Sequence, residues 1–512
     1  MINVLEYLEN TAKRLPDKTA VVDDKDSCTY KELENISKGI GYVLSDMVEA
    51  GKPVAVMMKK SVVTLQVFMG TAYAGGFYSL LDPDFPIERL KNQLEVLNPA
   101  VVVVAEDNLD KLKETGYSGP IMDIEELLSK GKSVDVSDEN VSAKLESIRE
   151  SLPEDTPLYC NFTSGSTGTP KGVLVGHASV IDFIDRFTEL FDITEDDVIG
   201  NQAPFDFDVS VKDIFSSFKV GAKLVIIPTA FFRFPNGVMD MLEEHKVTTL
   251  IWAVSALVLI NRLHEFMYKV PPCINKILFS GEEMPVKHLK DWIAQYPDAK
   301  FVNLYGPTEI TCNCTFYRID NENIPEKLPI GSIYPGKIVE IYDEEGKLID
   351  EKTEEKVGEL CVSGKCLALG YYNNPEATAK AFVERPGSGQ AGESAGERMY
   401  KTGDLAYWKD GELYFAGRRD FQIKHNGHRL ELEEIERALN SLSQVQQACC
   451  IYDMEKYRIV AFYTGTNDRK GIVEGLKKRL PEYSLPNVYK YMEELPLSKN
   501  GKIDRAVLRQ SV

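Results

Sequence analysis

Thr163-Ser164-Gly165-Ser166-Thr167-Gly168-Thr169-Pro170-Lys171-Gly172 lies between two apolar runs, residues 158–162 and 173–175. β-Branched and aromatic runs on both sides of a Gly/Ser/Thr string predict strand, loop, strand. Glycines let backbone N–H groups approach an anion, the hydroxyls add donors, and Lys171 adds charge, so phosphate binding follows physically. The spacing does not fit GxxxxGK[ST], so this is not the Walker loop. Taken alone, a Gly/Ser/Thr string is also compatible with a flexible turn.

Outward from this string, short apolar runs alternate with helical patterns. Residues 19–22, 54–58, 77–81 and 101–105 read as strands, and 61–73 reads as an amphipathic helix. Later strand candidates are 223–227, 250–253, 276–279 and 301–304, with a polar surface stretch at 129–153. Such alternation predicts α/β layers with largely parallel sheets. From Glu359 the texture becomes β-rich, with strands at 359–363 and 412–415 around a Gly/Ser/Glu loop at 385–398.

The 512 residues carry a net charge of −20, which argues against nucleic-acid binding and against anionic membrane surfaces. The acid is not evenly spread. Residues 421–512 hold 15 Lys or Arg against 12 Asp or Glu, so a small, mildly basic C-terminal domain is expected. Nine cysteines without a CxxC pair suit free thiols in a reducing compartment, and six scattered histidines without HExxH do not suggest zinc. The start, MINVLEYLEN, does not read as a signal peptide, and the longest apolar run, 250–260, is too short to span a bilayer. A cytoplasmic protein without membrane insertion is expected.

Three further clusters carry chemistry. In Asn303-Leu304-Tyr305-Gly306-Pro307-Thr308-Glu309, a Gly-Pro turn at a strand end would put Tyr305 and Glu309 at the rim of a parallel sheet. There Tyr305 could stack on a base and Glu309 could bind Mg²⁺; alone, the string also reads as a turn with a helix N-cap. Asp404, in Tyr400-Lys-Thr-Gly-Asp404, is a candidate acceptor for ribose hydroxyls, and Arg418 a candidate phosphate partner. Glu433 and Arg437 read as an i,i+4 pair on a solvated helix. Near the end, Lys499-Asn500-Gly501-Lys502 reads as a surface turn.

In this order, the clusters resemble the adenylate-forming superfamily of acyl-CoA synthetases, luciferases and non-ribosomal peptide synthetase adenylation domains. The resemblance runs from Tyr30-Lys-Glu-Leu through Ala74-Gly-Gly-Phe and Asp82-Pro-Asp-Phe-Pro to Lys502, essentially the whole chain. It implies an α/β fold: a large N-terminal domain of two αβ sheet subdomains plus a β-rich subdomain (1–419), and a small mobile α+β C-terminal domain (420–512) hinged at Asp420. Within the superfamily the match is to enzymes that activate amino acids, because Asp208 in Phe205-Asp206-Phe207-Asp208 matches the aspartate that pairs with a substrate α-amino group. The competing reading makes Asp208 the N-cap of a helix over 209–214. The nearest subfamily resembles the D-alanine–carrier protein ligases of lipoteichoic acid D-alanylation; the alternative is a stand-alone adenylation enzyme for another amino acid, possibly acidic, in a non-ribosomal peptide pathway. No carrier domain follows Lys502, so a separate phosphopantetheinylated carrier protein is expected, with a monomeric ligase.

The resemblance assigns the β,γ-phosphates of ATP to Thr163, Ser164, Gly165, Ser166, Thr167, Gly168 and Lys171. The adenine falls to Gly281, Glu282, Asn303 and Tyr305, with Gly306 and Thr308 also at the nucleotide, the ribose to Asp404 and Arg418, and Mg²⁺ to Glu309. Phe207, Asp208, Val209, Lys212, Trp252, Leu278, Ser280, Leu304 and Cys312 would surround the substrate. Lys502 would bridge the attacking carboxylate and the α-phosphate during adenylation, then give way to the 424–429 segment for thioester formation. The departures lie in the acyl pocket. Phe279-Ser280-Gly281-Glu282 stands where the ligases have Phe-Cys-Gly-Glu, and Trp252-Ala253-Val254-Ser255 replaces a Thr-Pro-Ser type segment. Lys212 stands where an apolar residue is usual. It could hold a substrate carboxylate, pair with Asp208 or Asp213, or point to solvent.

Overall fold

The computed structural model describes residues 3–164, 170–386, 397–454, 456–497 and 503–512. The strand Pro157–Thr163 pairs antiparallel with Lys171–Gly176, Thr163 opposite Lys171, so the Gly/Ser/Thr string closes a hairpin as its flanks predict; its residues 165–169 lie outside the described set.

That hairpin belongs to a seven-stranded sheet whose parallel centre is Phe77–Leu80, Pro53–Met57 and Val101–Val104. All three strands are wholly buried, as expected of parallel strands covered on both faces. A nine-stranded sheet runs in parallel through Lys300–Tyr305, Lys276–Ser280, Thr249–Ala253, Val198–Asn201, Lys223–Ile226 and Thr19–Val22, with antiparallel strands at both edges. The helix Val62–Tyr73, predicted amphipathic, is buried at every position except Val63. It packs against the helix Tyr30–Leu44, which a Thr29/Glu32 capping box starts. A helix covered on all sides has no solvent face to keep polar.

The β-rich unit centres on Gly358–Ser363 and the long strand Arg398–Lys409, which pairs with Glu412–Arg418. The register of that pair sets Asp404 opposite Arg418, so two residues fourteen apart become cross-strand neighbours. Beyond Asp420 the chain forms a two-stranded hairpin, Gln422–His425 with His428–Glu431. A three-stranded sheet follows (Val445–Asp453, Arg458–Gly465, Val488–Tyr491), packed on the helices Leu432–Asn440 and Arg469–Lys477 around its own core. All nine cysteines are unpaired, and no described helix is long and apolar enough to cross a membrane.

Candidate active site

Parallel α/β sheets place sites at the carboxyl ends of their strands. Here Lys276–Ser280 and Lys300–Tyr305 end at Ser280-Gly281 and Gly306-Pro307-Thr308, which line one cavity with Phe207, Asp208, Val209, Lys212 and Cys312. Thr163 and Ser164 reach it from the Gly/Ser/Thr hairpin, Asp404 and Arg418 from the β-rich unit, and Lys424, Gly427, His428 and Arg429 from the C-terminal hairpin. Gly306 is required sterically, since a Cβ there would lie 2.6 Å from both the Asn313 Cα and the Cys312 oxygen. Thr311 and Cys312 have φ of 54° and 70°, a strained pair costing about 1–3 kcal/mol each, which turns Asn313 toward the cavity.

Asp208 precedes the helix Val209–Val220, yet its carboxylate makes no capping hydrogen bond. It lines the cavity instead. Burial raises its pKa, opposed by the Lys212 charge and a hydrogen bond from Thr308. The N-cap reading of Asp208 therefore fails on geometry.

Several expected site residues do not line this cavity. Successive strand residues point to opposite faces, and Trp252 falls on the far face of the nine-stranded sheet. It is 0% exposed in a core with Val225 and Phe279, and its Nε1 donates to the Gly200 oxygen at 2.7 Å. Leu278 and Leu304 share the cavity-side face but are sealed in the core, Leu278 two residues, roughly 7 Å, below the rim at Ser280. Asn303 donates to the Pro329 oxygen at 2.7 Å and Lys171 lies over the Tyr371 ring. Tyr305 is buried, its hydroxyl bonded to Asp404, with the Lys424 Nζ 5.5 Å from its ring centroid. Asp404 is also bound by Arg418, whose guanidinium holds Asp420 at 2.7 and 2.9 Å. Lys502 and residues 165–168 lie outside the described residues.

The C-terminal hairpin plugs the cleft. Its Asn426-Gly427 turn has φ of 52° and 79°, the positive pair that a two-residue hairpin demands. A Cβ on Gly427 would sit 3.1 Å from the Ser255 Oγ, so the glycine serves both the turn and the close approach. Gly427 N donates to Glu282 Oε1 at 2.6 Å and Ser164 Oγ donates to the Arg429 oxygen at 2.9 Å. Arg89 pairs with Glu434 at 3.3 Å. Arg89, Asn313 and Tyr483 are lining residues that the sequence reading misses, since no motif marks them and only the tertiary fold brings them in; Asp206 also lines the cavity, inside the 205–208 string, where the sequence reading gives it no role.

Glu309 does not fit the metal role in this arrangement. Its carboxylate is 1% exposed; Oε1 accepts from the Tyr371 hydroxyl at 2.8 Å and Oε2 from Arg429 at 2.7 Å. Burial pushes the Glu309 carboxyl up, but the Arg429 charge together with hydrogen bonds from Tyr371 and Tyr400 holds it below its usual range. No group of three or more potential metal ligands occurs among the described residues. Removing one partner of a buried ion pair strands the other. Arg429→Ala is expected to weaken seating of the hairpin by about 3 kcal/mol, roughly 10²-fold in the seated fraction. Distance labels on the two domains would read this, and unchanged proximity would contradict it.

His428 stacks on Tyr483 at 3.5 Å between ring centroids and meets Phe207 edge-on at 4.7 Å. Burial, with a smaller push from Arg89, lowers its pKa from 6.5 to about 3. The neutral ring is therefore favoured when seated: its contribution is complete above pH 6.5 and is lost as pH falls toward 3. At pH 5 the loss is about 2 kcal/mol. Hairpin opening between pH 7.5 and 5, followed by the same labels, should disappear in His428→Gln.

The fold matches solved adenylation-domain structures. The adenylation domain AlmE of Vibrio cholerae, solved in complex with glycyl-adenosine-5'-phosphate, matches with TM-score 0.82 and 23% identity over 99% of this chain and 97% of that one. The holo-PA1221 protein, with adenylation and PCP domains, matches with TM-score 0.80 and 23% identity over 99% and 84%. These likenesses show the fold. The AMP-binding enzyme family matches residues 8–372 and its C-terminal domain family residues 434–502. The chain belongs to the AMP-binding enzyme family. A mycosubtilin synthase polypeptide of Bacillus subtilis is 32% identical over 98% of this chain, which spans only 19% of that relative's length. The D-alanine–D-alanyl carrier protein ligase of Listeria monocytogenes serotype 4a (strain HCC23) is 30% identical over 100% of this chain and 99% of its own.

Proposed function

We propose that the chain uses ATP to convert an α-amino acid to its aminoacyl-adenylate and then passes the acyl group to the phosphopantetheine thiol of a separate carrier protein. The carrying observation is Asp208: a carboxylate at the cavity wall, released from helix capping, that needs a cationic partner. A free carboxylate does not acylate a thiol; adenylation supplies the leaving group. In this reading Lys502 stabilises charge on the α-phosphate, residues 163–171 hold the departing phosphates, and Asp420 is the hinge between residues 1–419 and 420–512. ATP would carry Mg²⁺, for which Glu309 offers an oxygen only when Arg429 is withdrawn.

The hairpin seated over the cavity supports thioester transfer as the step this arrangement serves, since it brings Lys424 and Arg429 to the site. A cytoplasmic location fits a phosphopantetheine donor. The Listeria ligase supports D-alanine as substrate, and through the sequence resemblance teichoic acid D-alanylation as pathway, while the synthase relatives support other amino acids equally. Amino-acid-dependent ATP–pyrophosphate exchange across a panel of amino acids and small carboxylic acids tests the activity. Exchange is expected with amino acids and not with their des-amino analogues; exchange with des-amino acids alone would refute the reading.

A further inference from the structure

Lys212 is on the first turn and a half of the helix that Asp208 precedes, one turn from that carboxylate, and both line the cavity. It does not point to solvent, being 1% exposed. It forms no ion pair either: its Nζ contacts Ser280 Oγ at 3.2 Å and Asn313 Oδ1 at 3.0 Å, and no Asp or Glu oxygen among the described residues lies within 4.0 Å. Two of the three expectations for Lys212 are thus removed. An ammonium has three donors, so two neutral acceptors leave one for the cavity.

The charges around it decide what that donor meets. Asp404 is committed to Arg418 and Glu309 to Arg429. Asp213, the next residue on the helix, accepts from Asn201 at 2.7 Å, and burial raises its pKa to about 7, toward the neutral acid. Asp208 remains the compensating charge for Lys212. An amino acid whose ammonium takes Asp208 leaves Lys212 a buried cation with only neutral partners, which is costly. A second carboxylate on the substrate removes that cost. Ser280, where a cysteine would stand in the ligases this chain resembles, and Asn313 hold the ammonium in place.

We propose that this cavity selects a dicarboxylic amino acid of aspartate or glutamate type, with Asp208 on the α-ammonium and Lys212 on the side-chain carboxylate. The inference rests on the amino-acid-activating reading above. A site built around a buried charge rejects the neutral isostere strongly, because its own group is then left unpaired.

Pyrophosphate exchange on the full chain, with both enantiomers of aspartate, glutamate and alanine and with L-asparagine, tests it. The expected result is at least about 10²-fold higher kcat/KM for one dicarboxylic acid over its amide and over alanine. Lys212→Met should reverse this order, losing the acid about 10²-fold and gaining a neutral amino acid. The aspartate-to-asparagine ratio of the unmutated chain needs no variant to fold. Preference for alanine or another neutral amino acid would overturn the inference and leave the activity standing. Exchange with no amino acid would overturn both.

Discussion

Lys502→Ala is expected to lower amino-acid-dependent ATP–pyrophosphate exchange by about 10²–10³-fold while thioester formation from a supplied aminoacyl-adenylate stays within a few-fold. Phosphoryl and nucleotidyl transfer give the protein little covalent chemistry to do, so positioned charge supplies most of the rate. A lysine between an attacking carboxylate and the α-phosphate meets charge that grows in the transition state, which is where a fixed cation is most effective. In the proposed reading, the asymmetry between the two steps comes from the C-terminal domain. Its hairpin presents Lys424 and Arg429 to the cavity, whereas Ile503, beside Lys502, bridges Leu497 and packs with Cys449, Ile451 and Leu508 in a separate cluster. Equal loss in both steps would show that Lys502 supports the fold rather than adenylation.

The second large effect is at Asp208. Asp208→Ala is expected to cost about 10²-fold in kcat/KM for the preferred amino acid, in line with a charge-assisted hydrogen bond of about 1.5–3 kcal/mol. A des-amino analogue, already a poor substrate, should be unaffected or slightly improved. Stability separates this role from a structural one. A capping aspartate would cost about 1 kcal/mol on replacement by alanine, but Asp208 makes no capping bond and burial raises its pKa. Urea unfolding should therefore show no capping loss; any loss comes from Lys212, left buried without its compensating charge, and should vanish when Lys212→Met is combined with Asp208→Ala. A variant that keeps full activity, or one that loses only stability, would return Asp208 to the helix.

The fold is legible in the sequence wherever the signal is local. β-Branched runs such as Val101–Val104 and the strands flanking the Gly/Ser/Thr string need only their own residue types to be placed. Asp404 and Arg418 are readable singly, and their pairing follows from a hairpin register that the short strand candidate at 412–415 does not reach. Trp252 shows where local reading stops. Its position in the chain suggests the pocket, but one step along a strand exchanges the cavity face for the opposite core. Glu309 shows another limit, because its partner Arg429 comes from 120 residues away. Arg89 and Asn313 carry no motif, and only packing of distant segments makes them wall residues.

The most direct test of aminoacyl activation with carrier loading is the intact mass of a phosphopantetheinylated carrier protein after incubation with the chain, MgATP and the preferred amino acid. The predicted result is a gain equal to the amino acid less one water, lost on thiol treatment, and absent with the carrier lacking phosphopantetheine or with the des-amino substrate. Release of AMP with no gain on any carrier, and full transfer to free coenzyme A instead, would contradict the account.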